Sequence, residues 1–257
     1  MIAGRRLRGA ALVALLVGLV AVAGPIAQRR YGSSAQYAGN VTYDGKFTFV
    51  RVSYSAGFGG RGFRQGAPWA HDYPYGEHNF LKILAAVSNV PLHVGETSIM
   101  ALSDPDLFKF PVAYLVEPGY WYMGEEEMLG LRNYLTKGGF LIVDDFPGNA
   151  WYNFDLQMSR VFPQLKWIEI GLEHAIFHSF FEIDPHEVPQ SYNLGGPPMF
   201  FALFENNDPS KRMLAIANYQ NDLSEFWEAV ETGFRPTPET NESYKVGINQ
   251  FIYGITH

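Results

Sequence analysis

The segment from Glu125 to Gly148 constrains the fold of this chain most strongly, because a helix signature runs directly into a buried-strand signature. Three consecutive glutamates open the helical part, where the helix dipole favours negative charge, and Gly138 and Gly139 end it. Residues 140–143 are apolar without alternation, which is typical of a strand covered on both faces. The segment therefore predicts an α/β protein built on a mainly parallel sheet.

Two aspartates, Asp144 and Asp145, follow this predicted strand directly. In open α/β sheets, ligands bind at the edge formed by the carboxyl ends of the strands. A carboxylate held rigidly at that edge suits metal binding or general-base catalysis. Adjacent residues of a strand point in opposite directions, so we expect one aspartate to face the edge and the other to cap the helix that begins near Asn149. Both are candidate catalytic residues.

Hydrophobic patterns elsewhere repeat the alternation of strand and helix. Upstream, strands are predicted at residues 47–54, 91–94 and 112–116, and a helical face at residues 80–87. Downstream, the patterns predict a helix at residues 154–162, a strand at 167–170, edge strands at 200–205 and 213–219, and two further helices, one from Asp222 and one ending the chain. There is no internal repeat or second linker, so residues 46–257 are predicted to form a single α/β domain.

The amino terminus carries a targeting signature. Arg5, Arg6 and Arg8 precede an apolar run from Ala10 to Gly24 that is followed by small residues. Residues 1–27 are therefore predicted to be a signal peptide and residues 28–45 a linker, which places the protein in the periplasm or another extracytoplasmic space. The alternative is an uncleaved anchor in the inner membrane, which would be the protein's one link to a membrane. A spanning helix needs about 20 apolar residues, and this run is shorter.

Composition excludes two classes of function. The formal net charge is −7, and no block of Lys or Arg lies beyond the first residues, so nucleic acid is not expected as a partner. The chain has no cysteine, which removes disulfide bonds and every thiol mechanism. A small-molecule ligand is therefore the partner that composition leaves open.

Glu117 and the loop after the first strand supply further candidates. Glu117 follows the third predicted strand and should reach the same edge as Asp145, unless it is a solvated loop acid. The stretch at 57–62 matches G-x-G-x-x-G, and Arg61 and Arg64 beside it could meet an anionic group. Because prolines delay the following helix, this loop is interpreted as a flap that binds ligand and not as a dinucleotide site.

The segment behind this flap is rich in aromatic and polar residues. Binding residues concentrate on loops carried by a rigid sheet, so Trp69, Asp72 and Tyr73 are predicted to bind ligand. The alternative interpretation is a rigid structural turn.

Two histidines are the candidate metal ligands outside the aspartate pair. His174 and His178 are four residues apart and would share one face of a helix, with Asp144 as a third ligand. His174 is also placed after the fifth strand, from where it could approach Asp144 and assist catalysis. A packed or capping histidine is the alternative, above all for His178. A divalent metal is therefore the one cofactor considered, and no organic cofactor is expected.

Several segments together resemble one bacterial family. They are RVSY at 51–54, DYP at 72–74, FPVAYLVEPG at 110–119, LRNYLTKGGFLIVDD at 131–145 and EHAIFHSFFEI at 173–183. The chain resembles domain-of-unknown-function family 4159, which is similar to class I glutamine amidotransferase-like and trehalose-utilisation-like domains. The resemblance implies a flavodoxin-like three-layer sandwich, and a genetic neighbourhood with MoxR-type ATPases and von Willebrand A-domain proteins implies a role in an envelope assembly. The turn at 143–146 lacks the nucleophilic cysteine of amidotransferases, so glutamine hydrolysis is not expected.

Three functions remain open. The leading hypothesis is a domain that binds a small polar or carbohydrate-like ligand, or an envelope partner, at the carboxyl edge of its sheet. The second is a hydrolase or lyase that depends on Asp144 or Asp145 and His174, with or without a metal ion. The third is a structural subunit of a membrane-associated complex.

Overall fold

A computed structural model describes residues 39–56, 66–192 and 196–257, all within one compact unit. The strands are β1 Phe47–Ser53, β2 Ser55–Ala56, β3 Leu92–Ala101, β4 Val112–Val116, β5 Trp121–Tyr122, β6 Phe140–Asp144, β7 Trp167–Glu169, β8 Met199–Phe204 and β9 Met213–Tyr219. The α-helices are α1 Tyr75–Val87, α2 Glu125–Thr136, α3 Trp151–Val161, α4 Leu223–Glu228 and α5 Thr237–Thr256. Alternating strands and helices thus confirm the predicted α/β class.

Seven of the strands form the central sheet, in the order β3-β1-β4-β6-β9-β8-β7. The first five in this order run parallel, β8 runs against β9, and β7 pairs antiparallel with β8 at the edge. The predicted parallel pairing of residues 112–116 with the strand after Gly139 is confirmed, with Val112 opposite Phe140. Because β3 lies on one side of β1 and β4 on the other, the direction of the connections reverses at β1, and the sheet has a switch point between the carboxyl ends of β1 and β4.

Two strand predictions need correction. Residues 200–205 and 213–219 were expected to form edge strands, but β8 lies between β9 and β7, and β9 lies between β6 and β8 in the interior of the sheet. Its first six residues are all buried, as an interior position requires. Strand β3 extends to Ala101, well beyond the predicted residue 94, because it is an edge strand whose exposed polar residues interrupt the apolar pattern.

Each face of the sheet carries its own hydrophobic core. Helices α1, α4 and α5 cover one face, where Phe80, Trp227 and Phe251 pack with centroid separations of 4.6 and 4.8 Å from the Phe80 ring. Helices α2 and α3 cover the other face and bury Leu131 and Phe154. Each fully buried aromatic or aliphatic side chain contributes about 1.5–3 kcal/mol, so these layers fix the sheet and its carboxyl edge rigidly.

Among the described residues, no helix combines the length and the apolar character that crossing a membrane requires.

Candidate functional site

A buried ion pair holds the loop that reaches the carboxyl edge from β1. The side chains of Arg51, within β1, and Glu77, on α1, are both completely buried and pair directly with each other. Burial alone would lower the pKa of Arg51, but the charge of Glu77 raises it above its usual value. The same guanidinium donates through Nη1 to the carbonyl oxygens of Trp69 at 3.3 Å and His71 at 3.0 Å. Arg51 therefore fixes the backbone that carries His71.

Three acids at this edge have a left-handed backbone. The φ angles are +60° at Asp72, +51° at Glu117 and +56° at Asp145, a region that residues other than glycine seldom adopt. Such a conformation costs about 1–3 kcal/mol and persists only where the surrounding structure imposes it. The turn after β4 and the turn after β6 are hydrogen-bonded to each other, because the Glu117 amide donates to the Asp145 carbonyl at 3.1 Å. Strain of this kind concentrates at functional sites.

Asp145 lies at the centre of a hydrogen-bonded chain. Its Oδ2 is 2.7 Å from Nδ1 of His71, and its Oδ1 accepts from the hydroxyl of Tyr192 at 2.6 Å. Burial alone would lower the pKa of His71, but the hydrogen bond to Asp145 and the charges of Asp72, Asp145 and Glu117 raise it to about 10. The His71 side chain is 21% exposed, so this hydrogen-bonded chain of side chains reaches from the protein interior to solvent.

Glu117 lies beside this chain. Its Oε1 is 4.0 Å from Nδ1 of His71, and 14% of its side chain is exposed. Burial and the charge of Asp145 raise the pKa of Glu117 to about 8, although His71 opposes the shift. Glu117 can therefore carry a proton near neutral pH and donate it.

Asp144 has a structural role, because its carboxylate accepts hydrogen bonds from buried donors of β4 and α4. Its Oδ2 accepts from the Tyr114 hydroxyl at 2.6 Å and from the amides of Leu223 at 2.8 Å and Ser224 at 3.2 Å. Burial raises the pKa of Asp144 to about 6, against the lowering effect of these hydrogen bonds. One aspartate of the pair faces the edge and the other caps a helix, as predicted. However, the capped helix is α4 and not the one near Asn149, because β9 brings the start of α4 beside β6.

Two more aspartates complete a group of potential metal ligands. His71, Asp72, Asp145 and Asp222 each offer one ligand atom, and these atoms all lie within 4.8 Å of one another. Asp222 also caps α4 through Oδ1, which accepts from the Glu225 amide at 2.9 Å, as its spacing predicts. Burial raises the pKa of Asp72, and burial with the neighbouring acids raises that of Asp222. We call these four residues the acid–histidine cluster.

Other predicted binding residues are placed differently. Arg61 and Arg64 lie outside the described residues. Trp69 is half-buried against the core under α2 and α3 and takes part through its carbonyl. Tyr73 is buried, and its hydroxyl accepts from Thr97 of β3 at 3.5 Å. Asp72 therefore joins the cluster, while Tyr73 packs toward β3.

The structure does not bring the predicted histidine pair to this edge. The His174 ring packs on Phe204 and Tyr253, near the amino-terminal ends of β9 and β6, because the chain turns back across the sheet after β7. His178 lies on the surface, bonded to Glu182 and to the Leu172 carbonyl. The expectation that His174 approaches Asp144 is therefore wrong. Among the described residues, His174, His178 and Asp144 do not form a metal-ligand group.

His71, Tyr192 and Asp222 were missed as site residues. His71 adjoins Asp72 in a segment already singled out, so its position was the available signal. Tyr192 lies in a stretch without periodicity, and nothing local indicates that it meets Asp145. Asp222 was interpreted only as a helix cap, a role that it also fills.

The fold and the cluster define an α/β domain whose carboxyl sheet edge is lined by acids and a histidine. The chain belongs to the family described as domain of unknown function (DUF4159), whose model matches residues 48–255. The resemblance to this family is thereby confirmed over most of the chain. No curated protein shows significant similarity to it.

Proposed function

We propose that this domain binds a small, hydroxyl-rich ligand of carbohydrate type at the carboxyl edge of its sheet, without thiol chemistry. The observation that carries the proposal is the convergence of Asp145, Glu117 and Tyr192 around the partly exposed His71. Carboxylates accept hydrogen bonds from sugar hydroxyls, and tyrosine and histidine both donate and accept. These residues lie at the switch point of the sheet, which is where open α/β sheets bind ligands.

The charge of the described site residues favours a neutral or cationic ligand. Arg51 is already paired with Glu77, and His71 with Asp145, while Asp72 and Asp222 add further acids. An anionic ligand would meet several carboxyl groups at short range, which costs free energy at low dielectric. We therefore expect neutral sugars and amino sugars to bind better than sugar acids.

The fold supports a flavodoxin-like three-layer sandwich, and we propose kinship with amidotransferase-like domains at this level. Counted along the chain, the five adjacent parallel strands have the spatial order 2-1-3-4-5, which is the flavodoxin-like order. Helices cover both faces. Because the chain has no cysteine, the kinship does not extend to glutamine hydrolysis.

Binding is tested with three sugars that differ in charge. Isothermal titration of the purified domain with glucose, glucosamine and glucuronate, and with their oligomers, should show heat for the first two series and none for the third. Glu117→Gln and Asp145→Asn should each weaken binding about tenfold, because the net contribution of one hydrogen bond reaches about 1.4 kcal/mol. Glu126→Gln, on the exposed start of α2, is the matched control. Preference for glucuronate, or unchanged affinity in both site variants, would contradict the proposal.

A second candidate is an acid–base hydrolase or lyase, favoured by the His71–Asp145–Tyr192 chain beside Glu117. Glu117 holds a proton near neutral pH and can act as the acid, while Asp145, oriented by Tyr192 and His71, can act as the base. His71 thus takes the assisting role predicted for His174. Release of nitrophenol from nitrophenyl glycosides tests this candidate, and Glu117→Gln should slow turnover about 100-fold or more. Absence of turnover together with sugar binding would leave the binding function alone.

We further propose that the protein is exported, on the basis of the basic and apolar pattern of residues 5–24. An envelope protein partner would then share its compartment. Fusion of residues 1–45 to a phosphatase that is active only after export should give active enzyme, and replacing Arg5, Arg6 and Arg8 by glutamate should reduce this activity.

A further inference from the structure

The acid–histidine cluster has the composition of a metal site. Its four donors are one imidazole and three carboxylates, and they come from separate parts of the chain: the loop before α1, the end of β6 and the turn before α4. Two ligands on opposite sides of a bound ion lie about 4.4 Å apart at most, given metal–ligand distances of about 2.0–2.2 Å. The largest donor separation in the cluster is within 4.8 Å, so a contraction of about half an ångström would close it around an ion.

Asp72 provides independent support, because its carboxyl group is buried without a compensating donor. The residue is 2% exposed, and neither Oδ1 nor Oδ2 meets a protein N–H or hydroxyl donor among the described residues. Two further acids, Glu225 and Glu228, each place a carboxylate oxygen within 4.8 Å of the Asp72 carboxyl group, and two carboxyl groups can bond to each other only if one keeps a proton. The nearest cationic group is His71, whose Nδ1 is 3.8 Å from Oδ1 and already bonded to Asp145. An unpaired buried carboxylate is costly, and a cation would offset that cost.

We propose that His71, Asp72, Asp145 and Asp222 bind one divalent transition-metal ion of the Mn²⁺ to Zn²⁺ series. An imidazole among carboxylates suits these ions, whereas Ca²⁺ and Mg²⁺ prefer oxygen donors throughout. The ion replaces the proton between His71 Nδ1 and Asp145 Oδ2, and that proton is released to solvent. The inference rests on the proposed function in one respect, since an ion at this edge would also contact the hydroxyls of the ligand.

Hydrogen bonds from neighbouring groups orient three members of the cluster. Metal-binding histidines and carboxylates are usually oriented by a second set of hydrogen bonds. Here Arg51 fixes the His71 backbone, Tyr192 holds Oδ1 of Asp145, and the Glu225 amide holds Oδ1 of Asp222. Each carboxyl group keeps a second oxygen, so these contacts are compatible with binding an ion.

The experiment measures ion binding without any sugar. The chelator-treated full domain is dialysed against Zn²⁺, Mn²⁺ or Ca²⁺, and the metal content and the melting temperature are determined. We expect one Zn²⁺ or Mn²⁺ per chain and a rise in melting temperature of about 5–10 °C at an ion concentration 100 times the dissociation constant. Equal stabilisation by Ca²⁺ would contradict the donor assignment.

Variants separate a metal site from an acid cluster that only shares protons. Asp72→Asn and Asp145→Asn should abolish the ion-induced shift, and Asp72→Asn should leave the metal-free protein as stable as the wild type or more so. His178→Gln and Asp155→Asn, which change an exposed histidine and an exposed acid, should keep the full shift. Retention of the shift in Asp72→Asn, or its loss in His178→Gln, would overturn the proposal, as would absence of any shift in the wild type.

The two proposals fail in different ways. Stoichiometric Zn²⁺ without binding of any sugar would leave the ion site standing and remove the proposed ligand. Sugar binding that is unchanged by a chelator, in a protein that binds no ion, would support the proposed ligand and remove the ion site.

Discussion

Arg51 donates a 3.0 Å hydrogen bond to the carbonyl oxygen of His71, which joins a charge inside the sheet to the backbone of the candidate site. Arg51 is held in turn by Glu77, and both side chains are completely buried. Removing one partner leaves the other charge uncompensated, whereas removing both does not.

Arg51→Met should therefore lower the free energy of unfolding by about 3–5 kcal/mol, and the double variant with Glu77→Met should regain most of it. Urea unfolding followed by circular dichroism measures both. The double variant should still bind ligand and ion poorly, because the carbonyls of Trp69 and His71 have lost their donor. Lys109→Met, in a surface pair with Asp106, should cost less than about 1 kcal/mol. A double variant no more stable than Arg51→Met would refute this account.

The adjacent aspartates should respond in opposite ways to substitution. Asp144→Ala leaves the buried donors of Tyr114 and Leu223 unpaired, so stability should fall by about 2–4 kcal/mol. Asp145→Asn keeps a residue that tolerates the left-handed backbone, so it should fold normally and bind the ligand about tenfold more weakly. Urea unfolding and ligand titration on both variants separate the roles. A stable Asp144→Ala protein with impaired binding would reverse the assignment.

Replacing Gly130 on α2 by alanine should destabilise the fold, although alanine favours a helix over glycine by about 1 kcal/mol. A Cβ at this position would lie 2.0 Å from the carbonyl oxygen of Leu102, so the helix must shift away from the backbone. Gly130→Ala should therefore destabilise the protein by about 1–3 kcal/mol. At Gly95 an added Cβ meets nothing within 4 Å, and Gly95→Ala should have almost no effect in the same thermal unfolding assay.

The metal-free protein should become less stable as the pH rises from 5 to 9. The pKa of Glu117 is about 8 in the fold against 4.5 for the free side chain, so its protonated form stabilises the fold below 4.5 and this contribution is lost as the pH passes 8. The raised pKa of His71 acts in the same direction. Its contribution to stability is fully present below pH 6.5 and is lost as the pH rises through about 10. Each proton that the folded state binds and the unfolded state does not changes the free energy of unfolding by at most about 1.4 kcal/mol per pH unit.

Glu117→Gln should flatten the pH dependence between 5 and 8, and Glu126→Gln should not. Melting temperatures in the presence of a chelator provide the measurement. Rising stability across this interval in the wild type would contradict the raised pKa of Glu117.

The sequence predicts the parts of the fold that local patterns encode. Residues 112–116 and 140–143 are continuous apolar runs within buried strands, and Glu117 and Asp145 follow from the rule that strand ends form the ligand edge. Asp72 follows from the rule that binding residues concentrate on loops carried by a rigid sheet. The position of β9 and the meeting of Tyr192 with Asp145 depend on pairings between distant segments, which leave no local pattern. His174 was misplaced for a related reason, because the path of an irregular segment after a strand is set by packing against Phe204 and Tyr253.

The acid–histidine cluster draws its members from segments that follow the second, the sixth and the last of the described strands. No partial fold that lacks β9 can contain Asp222 beside Asp145, since β9 is the strand that carries the turn before α4 to this edge. Ligand or ion affinity would thus report the completion of folding, and in an exported protein it would mark the chains that had finished folding after translocation.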